Sequence, residues 1–369
     1  MRELPPVPYI NPQEEAHKRR ELAESEEGLP PRESETGEQR ELTQYIGKWW
    51  QGDAHSHSTK STREETGQYE GLYHPQEIME YYQRIGLRFV AFSEHSSNPR
   101  NPERLSPEDP ISQSLVSGAE EIEGINREGN FDIIAFSSVE ANIMFDDEGK
   151  AIVDVPDEIL AKLDLVIASR HIIANEKEPS AIRESLLATI RNGYVDVIGH
   201  PDRYTRKDKE KSPEYWEEYW GVWQEILTEM VAQNKAFEIN LNCQPSRKLL
   251  EMAANSGVRF SLDLDAHDFN QYKSGGTEVT GEKNKWAAGD ASDADIEILN
   301  KYRIGRMTSG PGVRIIVRLV RVLKKLESLG VTPDRVINSS PENLINFLTT
   351  VRGKTTSNLE FLKEKLASK

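Results

Sequence analysis

The amino-acid sequence predicts an α/β fold, a single parallel barrel of seven strands with further helices at its C-terminal end. Two observations carry that expectation. From Gly52 onward, short β-branched or apolar runs alternate with helical stretches. Those runs also lead, one after another, to side chains of the kind that hold metals. Phe89-Val90-Ala91-Phe92 leads to Glu94 and His95, residues 163–168 to Arg170-His171, residues 195–199 to His200, and Phe260-Ser261-Leu262 to Asp265 and His267. A further run, residues 131–136, leads to Glu140. Buried parallel strands whose carboxyl ends gather functional side chains are the pattern of an α/β barrel. An open doubly wound sheet is the structural alternative, but it collects ligands at one switch point rather than around a ring.

Taken in order, residues 1–44 are rich in Glu, Arg, Pro and Ser and poor in large apolar residues, so they read as a mobile or wrapped acidic extension. One helix candidate, 12–25, lies there, with His17 expected on its solvated face. Trp49 and Trp50 mark where the chain enters a core, and residues 45–369 read as one barrel domain. Strands are expected at 53–57, 88–93, 131–139, 163–169, 195–199, 236–241 and 258–263. Helices are expected between them at 75–86, 112–128, 179–192, 214–234 and 246–256. Pro stands near several of their starts, and Gly86, Gly193 and Gly257 offer left-handed caps at their ends. Residues 270–288, rich in Gly, Thr and Lys, read as a long loop able to act as a lid. Helices close the chain at 292–302, 312–328, 341–350 and 357–367; that at 312–328 is amphipathic and basic, with a solvated face opposite a core stripe.

Composition bounds the function. With 369 residues, 36% hydrophobic, a full core is expected. A single cysteine, Cys243, excludes an internal disulfide framework and fits a reducing compartment. The charged, proline-rich N-terminus and the lack of any long apolar run exclude a signal peptide and a membrane span, which points to the cytoplasm. A net charge of −16 argues against a general nucleic-acid binder, although bound cations would reverse the potential inside a cavity.

The stretch that organises the site is Gly52-Asp53-Ala54-His55-Ser56-His57-Ser58, together with Asp265-Ala266-His267. On a strand, side chains two apart share a face, so His55 with His57, and Asp265 with His267, are paired ligands. Imidazoles and carboxylates without thiolates suit Zn, Mn or Fe in an open, catalytic site rather than a closed structural one. Arg170 and Arg203 flank ligand positions and read either as bidentate contacts to a phosphate or as surface ion pairs. Asp53 reads as an orienting partner of a ligand histidine or as a strand-start hydrogen bond. Glu94 and Asp202 receive no role, and Cys243 reads as a small buried residue.

Six short motifs, Asp53-Ala54-His55-Ser56-His57, Phe92-Ser93-Glu94-His95-Ser96, Val139-Glu140-Ala141-Asn142, Ala168-Ser169-Arg170-His171, Ile198-Gly199-His200-Pro201 and Asp265-Ala266-His267, stand in an order that resembles the PHP (polymerase and histidinol phosphatase) superfamily. Their order and spacing resemble in particular the PHP domain of bacterial family X DNA polymerases, over roughly residues 48–270. The resemblance implies a distorted seven-stranded (β/α)7 barrel carrying two to three divalent metal ions at its strand ends. It implies a first metal on His55, His57, Glu140 and Asp265, and a second on Glu140, His171 and His200, with Glu140 bridging. A third would take His95, His267 and one ligand from loop 58–72, where the family's Ser-Asp-Gly is replaced by Tyr69-Glu70-Gly71. Glu70 is the candidate there, ahead of Glu64, Glu65 and His74.

Clustered cations of this kind clamp a phosphoryl group while a metal-bound hydroxide attacks it in line. The leading expectation is therefore a phosphatase acting on a small-molecule phosphate monoester. A metal-dependent nuclease of the 3'-5' exonuclease kind is the alternative, and a non-catalytic metal-binding regulatory module is a third reading.

Overall fold

The computed structural model describes residues 37–61, 71, 73–84, 86–99, 101–171, 178–203, 211–267 and 311–367. The helices expected at 12–25 and 292–302, the loop 270–288, and His17, Glu64, Glu65 and Glu70 lie outside the described residues.

A helix, α1 (Gly37–Trp49), precedes strand β1 (Gly52–Ser56). There follow α2 (Pro75–Arg84), β2 (Phe89–His95), α3 (Pro110–Glu128), β3 (Ile134–Phe145), β4 (Ala151–Val153), α4 (Asp157–Leu160), β5 (Leu165–Ser169) and α5 (Pro179–Arg191). The second half holds β6 (Val197–Gly199), α6 (Pro213–Ala232), β7 (Ala236–Asn240), α7 (Arg247–Ser256) and β8 (Arg259–Asp263), then α8 (Pro311–Ser328), α9 (Pro341–Asn346), a wider turn of helix at Phe347–Val351, and α10 (Ser357–Ala367). Helix starts follow their local chemistry. Asp109, Ser212 and Ser246 each turn a side-chain oxygen onto a backbone N–H of the first turn of α3, α6 and α7, and Pro opens α3 and α6. Gly257 ends α7 at φ 91, as expected, whereas α5 ends on Asn192 in extended backbone.

Seven strands run parallel in the order β1-β2-β3-β5-β6-β7-β8, while β4 folds back antiparallel on the end of β3. The ring nearly closes. Ser56 bridges Ala266, and the N–H groups of His57 and Ala266 bond the carbonyls of Ala266 and His55. Side chains complete the seam: Asp53 Oδ1 accepts from Leu264 N–H at 3.0 Å, and Asp263 Oδ1 from Ala54 N–H at 2.9 Å. Asn338 crosses the same seam, donating to the carbonyls of Gly52 and Leu262. Asp53 therefore closes the barrel, taking further hydrogen bonds from Ser56 Oγ and Tyr82 Oη; it does not touch a histidine ring.

Two apolar layers sandwich the strands. Phe89, Ala91, Ile134, Phe136, Ile167 and Val197 form one, packed with Ile337, Leu344, Phe347, Leu348, Leu359 and Leu362, so the C-terminal helices plug one end of the barrel. Val90, Phe92, Val166, Ile198, Phe237 and Phe260 face the outer helices, among them the wholly buried Trp223 and Met230 of α6. Each such side chain contributes roughly 1.5–3 kcal/mol of burial. Trp49 and Trp50 are buried as expected, and Trp50 Nε1 donates to Leu262 O at 2.9 Å. The plug also carries a polar knot: Asp196, fully buried, holds Arg352 Nε at 3.0 Å and Lys354 Nζ at 2.8 Å. Beside it Lys235 Nζ donates to the carbonyls of Asn192 and Val195.

The expected strands all form, each starting within three residues of its expected position, and β3 runs on to Phe145, six residues past its expected end. The hairpin β3–β4 and the short α4 are additional. Its turn, Asp146-Asp147-Glu148-Gly149-Lys150, is so polar that the three-residue strand after it carries no visible period. Among the described residues no helix is long and apolar enough to cross a membrane.

Candidate metal centre

At the carboxyl ends of the strands the barrel opens onto a cluster of imidazoles and acids. His55 and His57 come from the end of β1, His95 is the last residue of β2, and Glu140 lies within β3. His171 stands two residues beyond β5, His200 directly beyond β6, and Asp265 and His267 just past β8. His57 lies one residue beyond the end of β1 yet shares the face of His55, as the alternation requires. Two of these residues hold unusual backbone: His200 at φ 22 and Asp265 at φ 53. Non-glycine residues adopt such angles only where surrounding contacts enforce them. Gly199 precedes the first, and a Cβ there would fall 2.1 Å from Ser169 Oγ, so only glycine lets β5 and β6 approach.

Glu140 is the hub. Its Oε1 lies 2.8 Å from His200 Nε2 and 3.1 Å from His171 Nε2, while Oε2 lies 3.0 Å from His95 Nδ1, 3.4 Å from His55 Nε2 and 3.7 Å from His57 Nε2. Asp265 Oδ1 is 3.3 Å from His57 Nε2, 3.5 Å from His267 Nδ1 and 3.7 Å from His55 Nε2. Three sets have donor atoms all within 4.8 Å of one another: His55, His57, Glu140 and Asp265; His95, Glu140 and His171; and His57, His95 and His267. His200 meets Glu140 but falls in none of the three. Glu70, expected to complete a site with His95 and His267, lies outside the described residues; His57 is the donor found beside that pair.

The outer nitrogens are anchored. His55 Nδ1 meets Glu238 Oε1 at 2.7 Å, and Glu238 also accepts the N–H of His200, which helps hold that strained residue. His57 Nδ1 meets Ser61 Oγ at 3.2 Å, which donates to Glu94 Oε2 at 2.6 Å. His171 Nδ1 meets Asn142 Oδ1 at 2.6 Å. Asn240 Nδ2 donates to Asp265 Oδ2 at 3.0 Å. Imidazoles held this way turn their other nitrogen, with its lone pair, toward a metal. No motif in the sequence singles out Glu238, Ser61 and Asn240, because β7 carries no histidine and Ser61 is one hydroxyl among several in the short helical turn Thr59–Ser61. The available signal was Glu238 itself, a lone acid inside the apolar run Ala236-Phe237-Glu238-Ile239.

Electrostatics follow from burial and crowding. Burial opposes ionisation of Glu140 and Asp265, yet the surrounding histidines, His171 and His55 for the first and His55 and His57 for the second, hold both carboxyls well below their usual range. Burial and the neighbouring rings of His267 and His95 push His57 well below the ordinary imidazole value, and burial lowers His171. His55 goes the other way: burial opposes its charge, but Glu140, Glu238 and Asp265 together raise it well above the ordinary value.

The donor set fits divalent cations. His55 Nε2 and Glu140 Oε2 are both buried and have no hydrogen-bond partner among the described residues, though they face each other at 3.4 Å. A buried ring nitrogen and a buried carboxylate oxygen facing each other call for a positive charge that both share, either a proton or a cation. Nitrogen and oxygen donors from six strand ends, with no thiolate, match the chemistry of Zn, Mn or Fe.

Arg203 sits at the rim, its side chain 39% exposed and its Nη1 3.9 Å from Asp265 Oδ2. Arg170, directly past β5, is half-buried. Asp202 anchors the loop before α7 by accepting Ser246 N–H at 2.9 Å. His74 is exposed ahead of α2, and Cys243 is half-buried rather than buried.

No family model matches the chain. Among curated proteins it is 30% identical over 242 residues to the DNA polymerase/3'-5' exonuclease PolX of Bacillus subtilis, across 64% of this chain and 37% of PolX. It is 33% identical over 187 residues to a protein named "Probable phosphatase" from Caldanaerobacter subterraneus subsp. tengcongensis, across 50% of this chain and 66% of that one. The chain thus spans between about a third and two thirds of the length of these relatives. Among solved structures, histidinol phosphate phosphatase from Lactococcus lactis, complexed with Zn, L-histidinol and phosphate, overlaps 59% of this chain and 86% of its own at a TM-score of 0.41 and 21% identity.

Proposed function

The chain belongs to the PHP superfamily, and from that premise we propose that it is a metal-dependent phosphoesterase hydrolysing phosphate monoesters of small molecules. The observation that carries the reading is the ring of imidazole and carboxylate donors gathered around Glu140 at the carboxyl ends of the strands. We assign His55, His57, Glu140 and Asp265 to one cation, and Glu140, His171 and His200 to a second. His95 and His267 serve a third, with Glu70 as the candidate to complete it.

When bound, such cations neutralise phosphoryl oxygens and bring the pKa of a coordinated water toward 7. The chain's own side chains do the rest. Glu238, Ser61 and Asn142 fix the ring orientations, and Asn240 fixes Asp265. Arg203 at the rim, and Arg170 behind β5, supply guanidinium groups to orient the phosphate. The relatives named probable phosphatases support a monoester substrate. The alignment with PolX supports a second reading, a 3'-5' exonuclease-like phosphodiesterase. We take residues 45–369 as the barrel domain, residues 1–44 as its extension, and the cytoplasm as its setting.

The test compares an aryl phosphate monoester, an aryl phosphodiester and end-labelled single-stranded DNA, each with added Mn²⁺. Turnover of the monoester alone is expected. Shortening of the DNA from its 3' end in preference to the monoester transfers the reading to the nuclease. Silence on all three by metal-loaded protein would leave a regulatory module.

A further inference from the structure

We propose that Asp154 is a positioning residue for the candidate ligand His171, acting through the side-chain amide of Asn142. The inference rests on the metal reading of the site and adds a residue that touches neither metal nor substrate. It also gives the hairpin β3–β4 a purpose, since that hairpin is what brings Asp154 to the cluster.

Asn142 lies two residues beyond Glu140 on β3, so the two side chains share the face that looks into the barrel mouth. Asp154 follows β4 directly and is fully buried. Its Oδ1 accepts the backbone N–H of Asn142 at 2.9 Å. Its Oδ2 accepts Asn142 Nδ2 at 2.8 Å, Ser96 Oγ at 2.7 Å and Ser97 Oγ at 2.6 Å. Asn142 Nδ2 lies also 3.2 Å from the carbonyl of Ser97.

These contacts settle which way the amide points. A carboxylate and a carbonyl only accept, so the NH₂ of Asn142 must face Asp154 and Ser97. Its Oδ1 is then turned to His171 Nδ1 at 2.6 Å, and because that oxygen can only accept, Nδ1 carries the ring proton. An imidazole that binds a cation is singly protonated, so with the proton on Nδ1 only Nε2 can serve as the ligand. Nε2 is left with a lone pair directed at Glu140 Oε1, 3.1 Å away, where a cation would bind. Asp154 thus selects the tautomer of a ligand two bonds removed from it.

The variant Asp154→Asn keeps the shape but places an NH₂ where a carboxylate oxygen stood. The amide of Asn142 then turns over to accept from it, and its own NH₂ meets His171 Nδ1, which forces the proton onto Nε2. The expected result is a loss of about 10- to 100-fold in Zn²⁺ affinity, measured by titrating metal-stripped protein against a competing chelator. In ¹⁵N-histidine spectra His171 should change from the Nδ1–H to the Nε2–H form. The swap of Asp154→Asn with Asn142→Asp restores an acceptor toward His171 and should recover both tautomer and affinity, a rescue that a merely structural role for Asp154 would not give. Wild-type affinity in Asp154→Asn with His171 still Nδ1–H overturns the proposal, and so does Nε2–H on His171 in the metal-stripped wild type, a measurement independent of whether any variant folds. Wild-type protein that binds no Zn²⁺ at all is a different result, and it overturns the functional reading itself.

Discussion

At the mouth of the barrel one buried acid, Glu140, is ringed by imidazole nitrogens; at the plugged end another, Asp196, is ringed by a guanidinium and an ammonium. Both carboxylates are wholly buried. Asp196 is satisfied by its neighbours, because Arg352 and Lys354 bring permanent charge and donors, and Val166 N–H adds a third bond at 2.9 Å. Glu140 is surrounded instead by imidazoles, which bring no permanent charge and can turn a lone pair to a cation. One end of the barrel is closed by fixed ion pairs, whereas the other gathers the donors that a divalent cation takes. Stability and chemistry are thereby housed at opposite ends of the same strands.

Substitutions at the two acids should separate those roles. Glu140→Gln should lower hydrolysis of an aryl phosphate monoester by at least about a thousandfold, equivalent to about 4 kcal/mol of barrel-mouth electrostatics. Its urea midpoint, measured on metal-stripped protein, should move little. Asp196→Asn reverses the pattern. It leaves two buried cations without their partner, so denaturant titration should show a loss of about 3–5 kcal/mol, while Zn²⁺ affinity of the folded protein is retained.

A third test uses pH. Burial, with Arg352 and Lys354 nearby, lowers the amine of Lys235 from 10.5 to about 7. Between those values the folded chain binds fewer protons than the unfolded one, so this group makes stability rise with pH across that window, and its full penalty is felt below about 7. The slope approaches about 1.4 kcal/mol per pH unit at most. Comparing urea midpoints of wild type and Lys235→Met from pH 6 to 10 should show that rise disappear in the variant. The smallest effect is expected at the rim, where Arg203→Lys keeps the charge but loses the planar fork, raising KM for the monoester about tenfold with little change in kcat.

Much of this architecture was legible because barrel strands are apolar on both faces and end abruptly in ligands. Phe131-Asp132-Ile133-Ile134 running to Glu140, or Val195-Asp196-Val197-Ile198 running to His200, mark strand and site at once. What escaped were the partners of the ligands. Glu238, Asn142 and Ser61 act through contacts made only when distant strands lie side by side, such as the 183 positions separating His55 from Glu238. Of the two readings of Asp53, orienting partner of a ligand histidine or strand-start hydrogen bond, the structure has the second, because the seam with Leu264 and the hydroxyl of Ser56 claim its oxygens. Nothing local to Asp196 announces that Arg352, 156 positions on, returns to meet it.

The central claim is most directly tested by metal analysis of purified protein, reloaded with Zn²⁺ and freed of excess, beside Glu140→Gln treated identically. About two or more equivalents are expected per wild-type chain, with a clear deficit in the variant. Wild-type protein without tightly held metal, or a variant that retains as much as the wild type, would contradict it.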